Sequence, residues 1–230
     1  MKKTMYSLAV ILLISYTGLG QIDCSKYYPM REGMTMQYTN YNKKGKSEGT
    51  VNYLVSNVSN EGGMTKADMS MTLKNEKGKE VFTSDYSIRC EDDKIAIDYN
   101  SLLPDNMMEQ MGNMEMEVTG TDIELPNSLN VGDTLSDANV TMTMSMGGMN
   151  MKTEIFILNR KVEKKEVINT PAGEFDCYVI YSDTQTRSMG INRTFPSRQW
   201  LAEGIGMVKQ ESYQKDGDLI NSTLLTAYSQ

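Results

Sequence analysis

The chain contains no histidine among its 230 residues. That removes the commonest general base and the commonest metal ligand. A Ser-His-Asp triad, a Cys-His pair and a His-ligated zinc site are excluded together. GxGxxG does not occur, so no phosphate-cradling glycine loop is encoded. The SxxK string Ser212-Tyr213-Gln214-Lys215 enters a hairpin instead of opening a helix. Acidic pairs such as Asp92-Asp93 and Glu115/Glu117 fit turns and solvent faces. The expectation is a protein that is not an enzyme, with no catalytic residues, no cofactor and no metal site.

Basic stripes are also missing. RKVEKKE at 160–166 interleaves its charges, and with a net charge of −7 no nucleic-acid partner is expected. Long apolar runs are absent apart from the N-terminus. There MKKTMYSLAVILLISYTGLG has a charged start at Lys2 and Lys3, an apolar stretch from Ser7 to Ser15, and a small-x-small site at Gly18-Leu19-Gly20. This is the pattern of a secretory signal over residues 1–20, and the apolar run is short of the ~20 residues that span a bilayer. Residues 21–230 are then one exported β-rich domain, periplasmic or secreted, and not an integral membrane protein after cleavage. Gln21-Ile22-Asp23 before Cys24 argues against acylation of that cysteine.

Cysteine is scarce, with 3 residues. An oxidising compartment allows one disulfide and one thiol left over. Cys24 precedes the first strand and Cys90 ends a strand at a turn, whereas Cys177 lies mid-strand in FDCYVIY. Cys24–Cys90 is the favoured pair, closing a loop of roughly 66 residues and contributing ~3–4 kcal/mol on the loop-entropy account.

What is present is β patterning. YNKKGKSEG (41–49), KNEKGKEVF (74–82) and YQKDGDLIN (213–221) each set polar residues and a glycine between alternating strands, the chemistry of tight hairpins. Strands are expected near 34–42, 48–58, 64–75, 79–89, 94–99, 138–146, 149–158, 160–168, 175–187, 192–201, 206–214 and 218–228. The fold class is mainly β: a strongly curved antiparallel sheet, a half-barrel or partly closed barrel, with one short helix. That helix is placed in NSLLPDNMMEQMGN at 100–113, and 114–135 is read as a lid across the mouth of the sheet.

Methionine is abundant, at 20 residues. In TMTMSMGGMNM (141–151), a Gly147-Gly148 turn pairs Met146 with Met149, Met144 with Met151, Met142 with Thr153, Val140 with Ile155 and Ala138 with Ile157. All share one face. Three readings compete. Thioethers suit Cu(I), but without histidine this is the weakest. A dry core face and the wall of an apolar binding cavity remain level, because methionine packs adaptably against either. The cavity reading assigns ligand contact to Met142, Met144, Met146, Met149 and Met151, joined by Met107 and Met111 of the helix.

Thr170-Pro171-Ala172-Gly173 followed by Phe175, Cys177 and Tyr178 resembles a hairpin signature of the domain of unknown function 3108 family. QWLAEGIGMVKQESY (199–213), with Trp200, Ala202, Gly206, Val208 and Glu211, resembles its companion. LNVGDTL and YPMREGMTMQYTNY are also similar to exported members. The resemblance implies a curved sheet loosely similar to lipoprotein-carrier folds, and it carries over no catalytic residues. Pro171 and Gly173 are read as turn residues and Trp200 as a core anchor. The leading functional expectation is binding of a hydrophobic small molecule or lipid. The alternative is a structural or protein-interaction module of the cell envelope, with its protein partners unidentified.

Overall fold

The computed structural model describes residues 24–28, 30–92, 94–97, 115–146 and 149–229. Regular structure among them is all strand: β1 Thr35–Asn42, β2 Ser47–Glu61, β3 Met64–Asn75, β4 Glu80–Glu91, β5 Lys94–Ile97, β6 Glu115–Gly120, β7 Ile123–Pro126, β8 Ala138–Met146, β9 Met149–Thr170, β10 Gly173–Ser188, β11 Ile191–Ala202, β12 Gly206–Tyr213 and β13 Leu219–Ser229. They form one sheet of 13 strands in the order β6-β8-β9-β10-β11-β12-β13-β1-β2-β3-β4-β5-β7. The pairs recorded along it are antiparallel. No described residue is helical. The expected helix at 100–113, with Met107 and Met111, lies outside the described residues.

Residues 115–126 correct the lid expectation. They form β6 and β7, which occupy the two opposite edges of the sheet although only Thr121 and Asp122 separate them. Three Cα steps of 3.80 Å reach at most ~11 Å, so the edges must lie side by side and the sheet must be rolled. Gly120 permits the crossing, because a Cβ there would collide with the Asn139 carbonyl. That carbonyl accepts from the Thr121 amide at 2.8 Å. No hydrogen-bonded ladder joins β6 to β7 among the described residues, so the roll has a seam.

Side chains tie the seam where backbone does not. Arg89 of β4 meets Asp122 in the crossing at 2.6 Å, and Lys94 of β5 braces its ladder neighbour β7 through Glu124 at 2.6 Å. From the other flank, Arg160 Nη1 donates to the Glu124 carbonyl at 2.9 Å and the Ser136 carbonyl at 2.7 Å. Arg160 reaches inward through a bulge. The strands expected at 149–158 and 160–168 are one continuous β9, in which Asn159 takes φ 55° and Asn159-Arg160 together oppose Ser182. The Asn-Arg step bends the ladder without ending it.

Ser25, Tyr27 and Met30 are buried in the interior ahead of β1. A disulfide joins Cys24 to Cys90 on β4. The Asn127 side-chain amide donates to the Cys24 carbonyl at 2.5 Å and accepts from the Lys26 amide at 2.8 Å. Gly204 donates to the Lys26 carbonyl at 2.8 Å. Tyr27 packs with Leu125, Leu129, Leu135, Val162, Ile180 and Leu201. A larger cluster around Met34, Met36, Tyr38, Val55 and Ile88 continues toward Val179, Trp200 and Leu225.

Candidate functional site

Pairing register builds the site. Met36 of β1 opposes Tyr53 of β2, Tyr53 opposes Met71 of β3, and Met71 opposes Ser84 of β4. Directly opposed residues share a face, so this row crosses four strands on one side of the sheet. A second row follows the same rule: Ile88 opposes Ile97, which opposes Ile123. The two rows, with Tyr38, Met69, Tyr86 and Met207, line a cavity of about 270 Å³. Its aromatic wall is ordered edge to face. Tyr38 and Tyr53 rings stand 5.7 Å apart at 83°, and Tyr53 and Tyr86 stand 6.2 Å apart at 84°. Such T-shaped pairs add directional attraction to apolar burial.

A second cavity of about 170 Å³ adjoins the first. The two share Tyr28, Ile97, Ile123, Gln199 and Gln210. The smaller lobe adds Ile157 and the polar side chains of Arg160, Ser182, Thr184 and Ser197. Ser182 and Ser197 oppose each other and their hydroxyls are 2.8 Å apart. Gln199 donates to Gln210 at 3.1 Å. The interior is therefore amphipathic, with an aromatic and thioether lobe leading into a hydroxyl, amide and guanidinium lobe. Tyr28 stands at the junction and is placed by Gly206, whose open α-carbon faces the tyrosine ring.

Electrostatics follow from burial. Burial pushes the Tyr28 hydroxyl up to about 12, and the Arg160 charge only partly opposes this. Tyr38, Tyr53 and Tyr86 are raised for the same reason. All stay protonated at neutral pH and act as hydrogen-bonding groups. Tyr38 donates to the Met207 carbonyl at 2.7 Å. Ser84 is the exception. Its side chain is 6% exposed and its Oγ has no hydrogen-bond partner among the described residues.

The methionine hairpin has the register read from its Gly-Gly turn. Met146 opposes Met149, Met144 opposes Met151, Met142 opposes Thr153, and Ala138 opposes Ile157. Since Ile157 lines the smaller lobe, alternation carries Met142, Met144 and Met151 along the same face, farther toward the hairpin tip. Met142 and Met144 are half-buried and Met151 is 44% exposed. None of these three lines the two cavities. The thioethers that do, at Met36, Met69, Met71 and Met207, escape composition because they are spread over three strands. The available signal is period two: Met36-x-Tyr38, Met69-x-Met71 and Ser84-x-Tyr86-x-Ile88.

The other singled-out residues are structural. Pro171-Ala172 form the turn between β9 and β10, with Thr170 opposite Gly173. Phe175 packs against Tyr228 at 6.1 Å. Cys177 is fully buried and free, and burial pushes its thiol up to about 12. Trp200 is 4% exposed, donates to Glu166 at 2.6 Å, and carries the Lys209 ammonium 4.3 Å over its ring.

No curated protein matches the sequence. Two crystal structures share the fold. One is a Bacteroides fragilis protein described as exported and of YmcC-like fold, at 21% identity and TM-score 0.73, covering 90% of this chain and 100% of its own. The other is a Parabacteroides distasonis protein described as a lipoprotein, at 23% identity and TM-score 0.72, with the same coverage. The family model described as DUF3108-like matches residues 31–225, which take in both C-terminal motifs and the lining of both cavity lobes except Tyr28. The chain belongs to the DUF3108-like family.

Proposed function

We propose that this is an exported protein that binds a lipid-like apolar molecule inside the rolled sheet and catalyses no reaction. The observation that carries the reading is Ser84: a buried hydroxyl without a partner, facing a cavity walled by tyrosine and methionine. Buried hydroxyls are ordinarily satisfied, and leaving one unmade costs ~1–3 kcal/mol. A ligand oxygen entering the lobe recovers that loss. Methionine suits the task because its unbranched thioether repacks around irregular apolar shapes. The two contiguous lobes approach the size of small-ligand sites, ~300–1,000 Å³.

Export rests on the signal-like first 20 residues and on the Cys24–Cys90 disulfide, a bond that persists in oxidising compartments. The descriptions of the two similar structures as exported and lipoprotein agree with it. Cys24 of this chain cannot carry a lipid thioether while its sulfur is bonded to Cys90. Among the described residues no helix is long and apolar enough to cross a membrane.

The test is a titration with the neutral apolar fluorophore N-phenyl-1-naphthylamine. Saturable binding with one site per chain is expected, and Ser84→Leu, which fills the lobe, should weaken it by about tenfold or more. Non-saturable fluorescence, or equal binding by a folded Ser84→Leu variant, overturns the reading.

A further inference from the structure

Of the charged side chains among the described residues, Arg160 alone is buried, at 5% exposure. Buried guanidinium groups are ordinarily matched by a carboxylate, because removing the charge from water is costly. Arg160 has no such match. Glu124 gives it only a backbone carbonyl, while the Glu124 carboxylate pairs with Lys94 at 2.6 Å. Asp137, the other acid whose field reaches Arg160, is exposed and forms no ion pair with it. The two carbonyl acceptors both engage Nη1. A guanidinium offers five N–H donors on three nitrogens, so most of its donor capacity is not taken up by those two bonds.

The position of that charge matters. Arg160 lines the smaller lobe beside Ser182, Ser197 and Gln199, and this lobe shares Tyr28, Ile97 and Ile123 with the tyrosine and methionine lobe. A wholly apolar ligand would leave the guanidinium desolvated and uncompensated. A free anion would leave the larger lobe empty. An amphiphile with one acidic head and one acyl tail satisfies both halves at once.

We infer that the bound molecule is a single-chain anionic amphiphile, its carboxylate or phosphate held by Arg160 with the Ser182, Ser197 and Gln199 side chains, and its tail laid along the Met36–Tyr53–Met71 row with an oxygen substituent reaching Ser84. This rests on the binding reading above and adds the head group and the orientation to it. The serine pair supplies hydroxyl donors, and the guanidinium supplies the charge-assisted bonds that separate an acid from its neutral analogue.

The experiment displaces N-phenyl-1-naphthylamine from the full protein with hexadecanoate, hexadecyl phosphate or hexadecanol, each below its micelle concentration. Wild type should be half-displaced by at least one of the acids at about tenfold lower concentration than by the alcohol, the gain expected of a charge-assisted pair. Whichever acid competes better identifies the head group. Arg160→Met should abolish the preference while leaving displacement by hexadecanol intact, and Arg160→Lys should retain part of it. Because Arg160 also ties the seam, circular dichroism must show the variants folded. If Arg160→Met does not fold, the wild-type preference and its partial retention in Arg160→Lys decide. Equal displacement by alcohol and acids in wild type overturns the inference and leaves the binding reading standing. Failure of the fluorophore to bind wild type overturns both.

Discussion

Replacing Ser84 by alanine removes a single oxygen, with opposite consequences for the free and the liganded protein. In the free protein Oγ is buried and unpartnered, opposite Met71 in the cavity wall. Losing it removes a desolvation cost of ~1–3 kcal/mol and gives up little packing, so stability should rise by about 1 kcal/mol. For a chain of this size that corresponds to a melting temperature roughly 2–4 °C higher. In the liganded protein the same change deletes a hydrogen bond contributing ~0.5–1.5 kcal/mol, so affinity should fall about threefold to tenfold. Differential scanning fluorimetry with and without N-phenyl-1-naphthylamine, whose amine N–H can donate to Ser84 Oγ, reads both effects. Tyr27→Phe is the control. The Tyr27 hydroxyl is likewise buried and unpartnered but does not line the cavities. Its removal should stabilise the protein by a similar amount and leave affinity unchanged. A Ser84→Ala protein that melts lower than wild type, or binds as tightly, refutes the assignment of Ser84 to a ligand.

Three further outcomes follow from the same structure. Replacing Cys24 and Cys90 by alanine opens a link between residues 66 apart and should cost about 4 kcal/mol in urea unfolding; a loss below about 1 kcal/mol would mean that the Asn127 and Gly204 bonds hold residues 24–28 unaided. Cys177, fully buried with its thiol pushed up to about 12, should resist a maleimide at pH 8 in the native state and react once per chain after denaturation with the disulfide intact. Tyr27, Tyr28, Tyr38, Tyr53 and Tyr86 are all raised by burial above the ordinary 10.0, so the folded state keeps protons that the unfolded chain gives up. Stability should be level below about pH 9 and fall as pH rises beyond 10, measured by unfolding in urea across that range; a level profile to pH 11 contradicts the buried-tyrosine wall.

The hairpins and the methionine register are written locally, which is why they can be read. Side-chain alternation and a glycine pair fix Met144 opposite Met151 without reference to the rest of the molecule. Residues 115–126 are different. Gly120 and Pro126 are poor strand formers, and these short strands exist because each borrows a ladder from an edge that the sequence places far away, β6 from β8 and β7 from β5. Arg160 was hidden for a related reason. In RKVEKKE it reads as one more solvated charge, and only the bulge at Asn159 turns it inward. The cavity wall is assembled by register across β1 to β4, so its residues are neighbours in the sheet and strangers in the sequence. Methionine density drew attention to 141–151, whereas the methionines that line the two cavities stand singly or in pairs, at alternate positions among tyrosines.

The roll gives these observations a common cause. A thirteen-stranded sheet whose first and last strands are joined by two residues must enclose a volume, and here that volume has a thioether and tyrosine end and a guanidinium end. Native mass spectrometry of the protein released gently from the cells that make it, without detergent, tests this most directly. The account predicts a mass increment of one small amphiphile per chain, lost on denaturation and diminished in Ser84→Leu. A spectrum showing only the mass of the disulfide-bonded chain, before and after incubation with hexadecanoate and hexadecyl phosphate, would contradict it.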